Sequence, residues 1–203
     1  LVEMWFAKLQ KQIAKTTRKD FVRNVKAIVR DFDNLELLDI KKPKVGIVGE
    51  ILVKFHPGAN NKLVSVVEKE GGEAVVPDFL DFVNYVLVNN VHNHMYLAGR
   101  LRHRIRSVLL ISFIENYFRK PIRKALKNSK RFCSFGTTEQ LADKVKEVVS
   151  VCNQMGEGWL LTAEMIELIE EGAPNIICVQ PFACLPNHIT GKGVVKELKR
   201  GYE

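Results

Sequence analysis

The chain has 203 residues, 46% of them hydrophobic and 27% charged, with 31 Lys and Arg against 23 Asp and Glu, a formal net charge of +8 and a pI of about 9.3. That is the composition of an ordinary globular protein with room for one good core plus a helical extension or small second unit. No apolar run approaches the roughly 20 residues a membrane helix needs, and Leu1 to Lys15, which carries Glu3 and several lysines and ends in no small-residue cleavage site, does not read as a signal peptide.

In chain order, residues 1 to 34 read as helical: Trp5, Leu9 and Ile13, then Phe21, Val25, Ile28, Val29 and Phe32 recur at helical spacing. Thr16-Thr17 followed by Asp20 predicts a break and a capped second helix. Lys44 to Glu50 is a short β-branched run behind Pro43, predicted as a buried strand ending in a glycine turn. Pro57 to Asn61 reads as loop and cap, Lys62 to Glu70 as a helix closing at Gly71-Gly72, and Glu73 to Pro77 as a second strand, parallel to the first. From Phe79 to Lys130 the pattern is helical almost throughout, with a break expected at Pro121. Thr137 is the expected cap of a helix to Val149, and Thr162 to Glu171 reads as an amphipathic helix closed by Gly172. Ile176 to Val179 is the third strand, and Gly191-Lys192-Gly193 introduces a last helix, Val194 to Lys199.

The fold class expected from this order is α/β: a Rossmann-like parallel sheet with flanking helices, a long helical insertion and N-terminal helices. The expected division is an N-terminal helical extension over 1–40, part of an upstream lobe, and an α/β lobe over 41–203 with the insert at about 79–150. The chain opens on Leu rather than Met and stops in mid-helix pattern, so a longer polypeptide is expected, with any site only partly present here.

Basic residues collect between Lys8 and Arg30 and between Arg100 and Arg131. A solvated helical face is the plain reading. A surface for an acidic partner, including a phosphate-bearing cofactor tail, is the next, and nucleic acid is not expected, because no recognised binding motif accompanies the charge. Cys133, Cys152, Cys178 and Cys184 form no CxxC pair, which disfavours a zinc ribbon or a thioredoxin-type site. With no export signal, free thiols in a reducing cytoplasm are expected.

The last strand and the loop after it hold the best candidates for chemistry. Cys178 lies in an apolar strand and reads as a small hydrophobe. Cys184 follows six residues later, beyond Pro181, in a loop at the carboxyl end of a parallel strand, where α/β folds build sites. An inert loop residue and a metal-binding or nucleophilic thiolate are both open readings of it. His188 as its base is weak on spacing alone. Gly46-x-x-Gly49 is not the full dinucleotide fingerprint and reads as a tight turn. Glu50 at the tip of the first strand is either an acid or base or a solvated turn residue. His92 and His94, two apart on a helix, face different sides and do not share a metal.

Lys44 to Ile51, Glu73 to Pro77, Gly156-Glu157-Gly158-Trp159-Leu160 and Gln180-Pro181-Phe182-Ala183-Cys184-Leu185-Pro186-Asn187-His188 together resemble the 2-hydroxyglutaryl-CoA dehydratase and benzoyl-CoA reductase superfamily. The likeness is to the dehydratase-like region of its large proteins fused to an ATP-dependent activase, and covers roughly residues 40 to 203. It implies Rossmann-like lobes with three cysteines from different parts of the chain holding a 4Fe-4S cluster between them. The cluster takes an electron from an ATP-driven activase and passes it to an acyl-CoA thioester, generating a ketyl radical. Cys184 matches the cluster ligand of the C-terminal lobe. Gly49, Glu157, Trp159 and His188 would line the cleft toward substrate, with Glu50 as the catalytic candidate. Cys133, Cys152 and Cys178 match no ligand motif. One thiolate does not hold such a cluster, so the other ligands are expected upstream, and this fragment alone is expected to be inactive. Implied partners are the upstream polypeptide, the activase and an acyl-CoA, with no membrane and a homodimer allowed. Two further readings stand beside this one: a non-catalytic scaffold that docks the activase through its basic helices, and a doubly wound small-molecule binding domain with its ligand at the strand tips.

Overall fold

The computed structural model describes residues 1–202. Its elements in chain order are α1 (Val2–Gln12), α2 (Arg18–Asp33), β1 (Lys44–Gly49), α3 (Ile51–Phe55), α4 (Leu63–Lys69), β2 (Glu73–Val75), α5 (Phe79–Tyr96), α6 (Leu101–Ile114), α7 (Lys120–Lys127), α8 (Thr138–Val145), α9 (Gly158–Glu170), β3 (Asn175–Val179), α10 (Leu185–Asn187) and α11 (Val195–Tyr202). They form two compact units. One is helical, Leu1–Asp39 with Leu109–Phe135; the other is α/β, Ile40–Val108 with Gly136–Glu203.

The α/β unit is organised by β1. Its β-branched residues Ile47 and Val48 are buried, and it has a neighbour on each side, so it reads as a continuous apolar run rather than an alternating one. β2 pairs with it in parallel from Lys44↔Glu73, and β3 in parallel from Val45↔Asn175 to Gly49↔Val179, giving a three-stranded sheet of order β2-β1-β3. The fold is therefore mixed α/β with an open parallel sheet and many helices. All three strands lie where the sequence places them. α3, immediately after β1, was not expected: Glu50 stops the strand and caps this short helix.

α9 differs from its expected form. It begins at Gly158, four residues before Thr162, and Gly158 through Ile166 is buried without a polar side. Glu164 gives the segment its amphipathic look, yet this carboxylate is itself buried, accepting at 2.8 and 2.9 Å from the Lys54 ammonium on α3. The ion pair joins positions 110 residues apart, which local periodicity does not register.

The helical unit shows how Thr16-Thr17 breaks the first segment. Thr17 accepts from the Asp20 amide and Asp20 reaches back to the Thr17 amide, a capping box that starts α2. Trp5 of α1 is buried and its indole N–H donates to Asp31 Oδ2 at 3.2 Å. Phe21 meets Phe118 edge-on with centroids 5.8 Å apart. The expected break at Pro121 lies elsewhere: the helix widens into a π turn over Glu115–Arg119, and Pro121 sits in the first turn of α7, where a missing N–H costs little. A second break falls at Leu97 to Arg100, where Ala98 adopts a left-handed φ of 54°.

The domain boundaries also differ from expectation. The insert does not stay with one unit: 109–135 joins 1–39, while 79–108 and 136–150 remain with the sheet. The dividing point lies within α6, where no loop or composition change marks it.

Candidate functional site

With β1 central, the chain leaves it toward β2 on one side and reaches β3 on the other. The loops after β1 and β3 therefore diverge, and the crevice outside their carboxyl ends is the switch point where open α/β sheets take ligands. A cleft of about 570 Å³ lies there. Val53, Ala59, Asn60, Asn61 and Leu63 form one wall, and Cys178 through Ala183, with His188 and Lys192, form the other.

Gly49 ends β1 against Val179 of β3. Its φ is +141°, and a Cβ there would stand 1.8 Å from the Val179 carbonyl oxygen, so only glycine permits the close β1–β3 approach. The next amide, Glu50 N–H, donates to that same carbonyl at 2.9 Å. The Glu50 carboxylate accepts from the Val53 amide at 2.8 Å, which makes it the N-cap of α3. Glu157 is buried and accepts from the Ile51 amide at 3.0 Å. Two carboxylates thus hold the first turn of α3, and Glu157 binds backbone rather than lining the cleft.

Trp159 is a correction to the expected set. It is fully buried, its indole N–H donates to Asn89 Oδ1 at 2.8 Å, and Tyr85 packs on it with centroids 5.1 Å apart. An indole enclosed in this way supports α5 and α9 and faces no cleft. Gly158 before it has φ +46° and lies so close to Tyr85 that a Cβ would fall 2.5 Å from the hydroxyl. That hydroxyl donates toward the Gln154 and Gly156 carbonyls, and burial pushes it up to about 12. The Gly156–Trp159 motif is therefore a packing device: Gly158 admits Tyr85 and Trp159 fills the core.

Cys184 sits on the tight turn that follows β3. Ala183 before it holds a left-handed φ of 59°, the Cys184 amide donates to the Pro181 carbonyl at 3.3 Å, and its own carbonyl accepts from the His188 amide at 3.1 Å. The residue is half-buried and caps α10 without a side-chain hydrogen bond, beside the cleft but not among its lining residues. His188 lines the cleft, and its Nδ1 accepts from the Gln180 amide nitrogen at 2.6 Å. Among the described residues no hydrogen bond joins the Cys184 thiol to the His188 ring, so the arrangement is not a thiol–imidazole pair.

Cys178 differs from its expected place in a hydrophobic interior, since it is half-buried and lines the cleft. Burial, reinforced by the Glu164 charge, pushes its thiol up to about 11, so it stays protonated at neutral pH. Among the described residues no group of three or more His, Cys, Asp and Glu is arranged to hold a metal ion.

Sequence reasoning missed Asn60, Asn61, Gln180 and Lys192 of the cleft, and the Lys54–Glu164 pair behind it. Burial pushes the Glu164 carboxyl upward, opposed by the Lys54 charge. The available signal was a lysine inside Ile51-Leu52-Val53-Lys54-Phe55 and a glutamate inside the apolar run of α9: a charge amid hydrocarbon needs a partner. No helix is long and apolar enough to cross a membrane among the described residues. Comparison with protein-family models, with curated proteins and with solved structures finds no match.

Proposed function

We propose that this chain is a Rossmann-like lobe of a cytoplasmic 2-hydroxyacyl-CoA dehydratase-like iron–sulfur protein, in which Cys184 is one thiolate ligand of a 4Fe-4S cluster. The observation that carries the reading is the position of Cys184: half-buried, without a side-chain hydrogen bond among the described residues, on the turn that closes β3 at the switch point of a parallel sheet. The other ligands come from sequence outside the described residues. When bound, the cluster supplies single electrons, received from an ATP-dependent activase and delivered to an acyl-CoA. Of this chain's residues, Gly49 lets the β1 and β3 tips close, Glu50 at the β1 tip is the candidate acid or base, and His188 lines the cleft. Glu157 acts at one remove by fixing α3.

The test is iron and acid-labile sulfide content, with the electron paramagnetic resonance signal after reduction, of the longer polypeptide purified anaerobically. Cys184→Ala is expected to lose the cluster while Cys152→Ala keeps it. Retention of a full cluster by Cys184→Ala, or no iron in the unaltered protein, overturns the reading.

A further inference from the structure

The net charge of +8 belongs entirely to the helical unit, which has 15 Lys and Arg against 7 Asp and Glu, while the α/β unit has 16 of each and is neutral. Within the helical unit the charge is ordered. Lys19, Arg23, Lys26 and Arg30 follow one another along α2 at steps of four, three and four residues, all exposed. At that spacing they share one face of the helix.

Local stability does not explain this stripe. Each neighbouring pair, Lys19 with Arg23, Arg23 with Lys26, and Lys26 with Arg30, is a like-charge pair at a helical contact distance, which destabilises a helix. Lys19 lies in the first turn, against the positive pole of the helix dipole. Arg23 is relieved by Asp20 at 2.5 Å and Arg30 by Asp31 at 3.3 Å, whereas Lys19 and Lys26 have no ion pair among the described residues. The α/β unit pairs Lys144 with Glu170, Lys146 with Asp143 and Arg200 with Glu197, and leaves the exposed Arg100, Arg102 and Arg106 without an ion pair among the described residues, so unpaired surface cations occur in both units.

Beside the stripe lies apolar surface. A shallow depression of about 720 Å³ is lined by Val22 and by Arg18, Lys19, Arg23 and Lys26, and a second of about 460 Å³ carries Val29, Arg30, Lys124 and Lys130. Both include Lys26, so they form one trough along α2. Val22 and Val29 are half-buried and one heptad apart. Asp33 at the trough's end is held by Ser129 Oγ at 2.6 Å and by the Lys130 amide at 3.3 Å.

We propose that this trough is the docking surface for an amphipathic helix of a protein partner, with an apolar seam over Val22 and Val29 and Asp or Glu flanking it to meet the stripe. Such a helix pairs at heptad spacing and removes the like-charge frustration of α2 on binding. A nucleic-acid backbone meets the cations but leaves the apolar floor uncovered, and the floor holds valines where base stacking requires an aromatic face. The proposal is independent of the cluster reading, since it involves no residue of the cleft.

The test uses the intact chain and fluorescence anisotropy with three labelled probes: a synthetic helix with Leu at the seam and Glu at the flanks, the same helix with Lys at the flanks, and a single-stranded RNA of equal charge to the first. The acidic helix is expected to bind and the other two to bind at least about tenfold more weakly. Reversing Lys19, Lys26 and Arg30 to Glu is expected to weaken the acidic helix about tenfold or more, while reversing Arg100, Arg102 and Arg106, an equal change in the other unit, shifts it less than about twofold. Lys26→Glu alone is expected to raise the melting temperature while weakening binding, a divergence that a merely structural role does not produce. Equal loss in the two triple variants, tighter binding of RNA than of the acidic helix, or no binding of that helix overturns the proposal.

Discussion

The two units of this chain each bury one cation, and they do so on different terms. In the α/β unit Lys54 and Glu164 are both buried and are bound to each other through two hydrogen bonds, at 2.8 and 2.9 Å. In the helical unit Arg119 is fully buried, lies 4.6 Å from the Phe135 ring centroid, and shares the partly exposed Glu115 carboxylate with Arg123. The surroundings differ as well. Of the 23 buried hydrophobic residues among those described, 20 belong to the α/β unit and Trp5, Ile111 and Ala125 to the helical one, which has about a third of the chain. The α/β unit can therefore bury both members of an ion pair. The helical unit places its arginine against an aromatic ring and keeps the counter-ion near water. A charge is tolerated inside a protein by a complete partner or by partial access to solvent, and each unit uses one of these.

Breaking the pair in the α/β unit is the most severe test of that contrast. Lys54→Met leaves Glu164 buried without its cation and is expected to cost about 3–5 kcal/mol in urea unfolding. Adding Glu164→Leu to it is expected to restore most of the loss, because two apolar residues can replace a buried ion pair at little cost. If the single variant loses under about 1 kcal/mol, the carboxylate has found water, and the core is looser than its burial indicates. Arg119→Met probes the other unit. Its expected cost is lower, about 2 kcal/mol, since Glu115 keeps Arg123 and part of its hydration. An effect as large as that of Lys54→Met would remove the distinction between the two units.

The same contrast shows what the sequence alone could reveal. The three strands were legible because buried parallel strands are short apolar runs bounded by Pro and Gly. Thr17 with Asp20 and Thr137 with Gln140 are both capping boxes, whose chemistry lies within four residues; the starts of α2 and α8 were read from the threonines. What spans the chain was not legible. Glu164 looked like the polar side of a surface helix until Lys54, far away in sequence, was brought to it. The domain boundary within α6 has no local mark, because it depends on which helices pack together. At the candidate site, His188 lines the cleft, while Gly49 and Glu50 stand at the β1 tip and are not among its lining residues; strand tips can be located from the strands. Asn61, Gln180 and Lys192 join them only through the strand order β2-β1-β3. Trp159 was misplaced because an aromatic between glycines looks the same from sequence whether it faces a cleft or fills a core.

The smallest expected effect concerns a buried group with no partner charge. His92 of α5 is 9% exposed, packs against Trp159 with centroids 6.0 Å apart, and has no hydrogen-bond partner at Nδ1. Burial first, then the Lys146 charge, holds its pKa below the ordinary histidine value, with Asp143 and Glu139 pulling the other way. The unfolded chain then binds a proton at His92 more readily than the folded protein does. This contribution to stability is complete above the unfolded value of about 6.5 and is lost as pH falls below it. The melting temperature is expected to decline from about pH 6.5 toward pH 5, and His92→Gln, which cannot take up the proton, is expected to flatten that slope while lowering stability slightly at pH 8. An unchanged slope in the variant would place the acid sensitivity elsewhere in the chain, and would mean that the ring is charged in the folded protein beside Trp159.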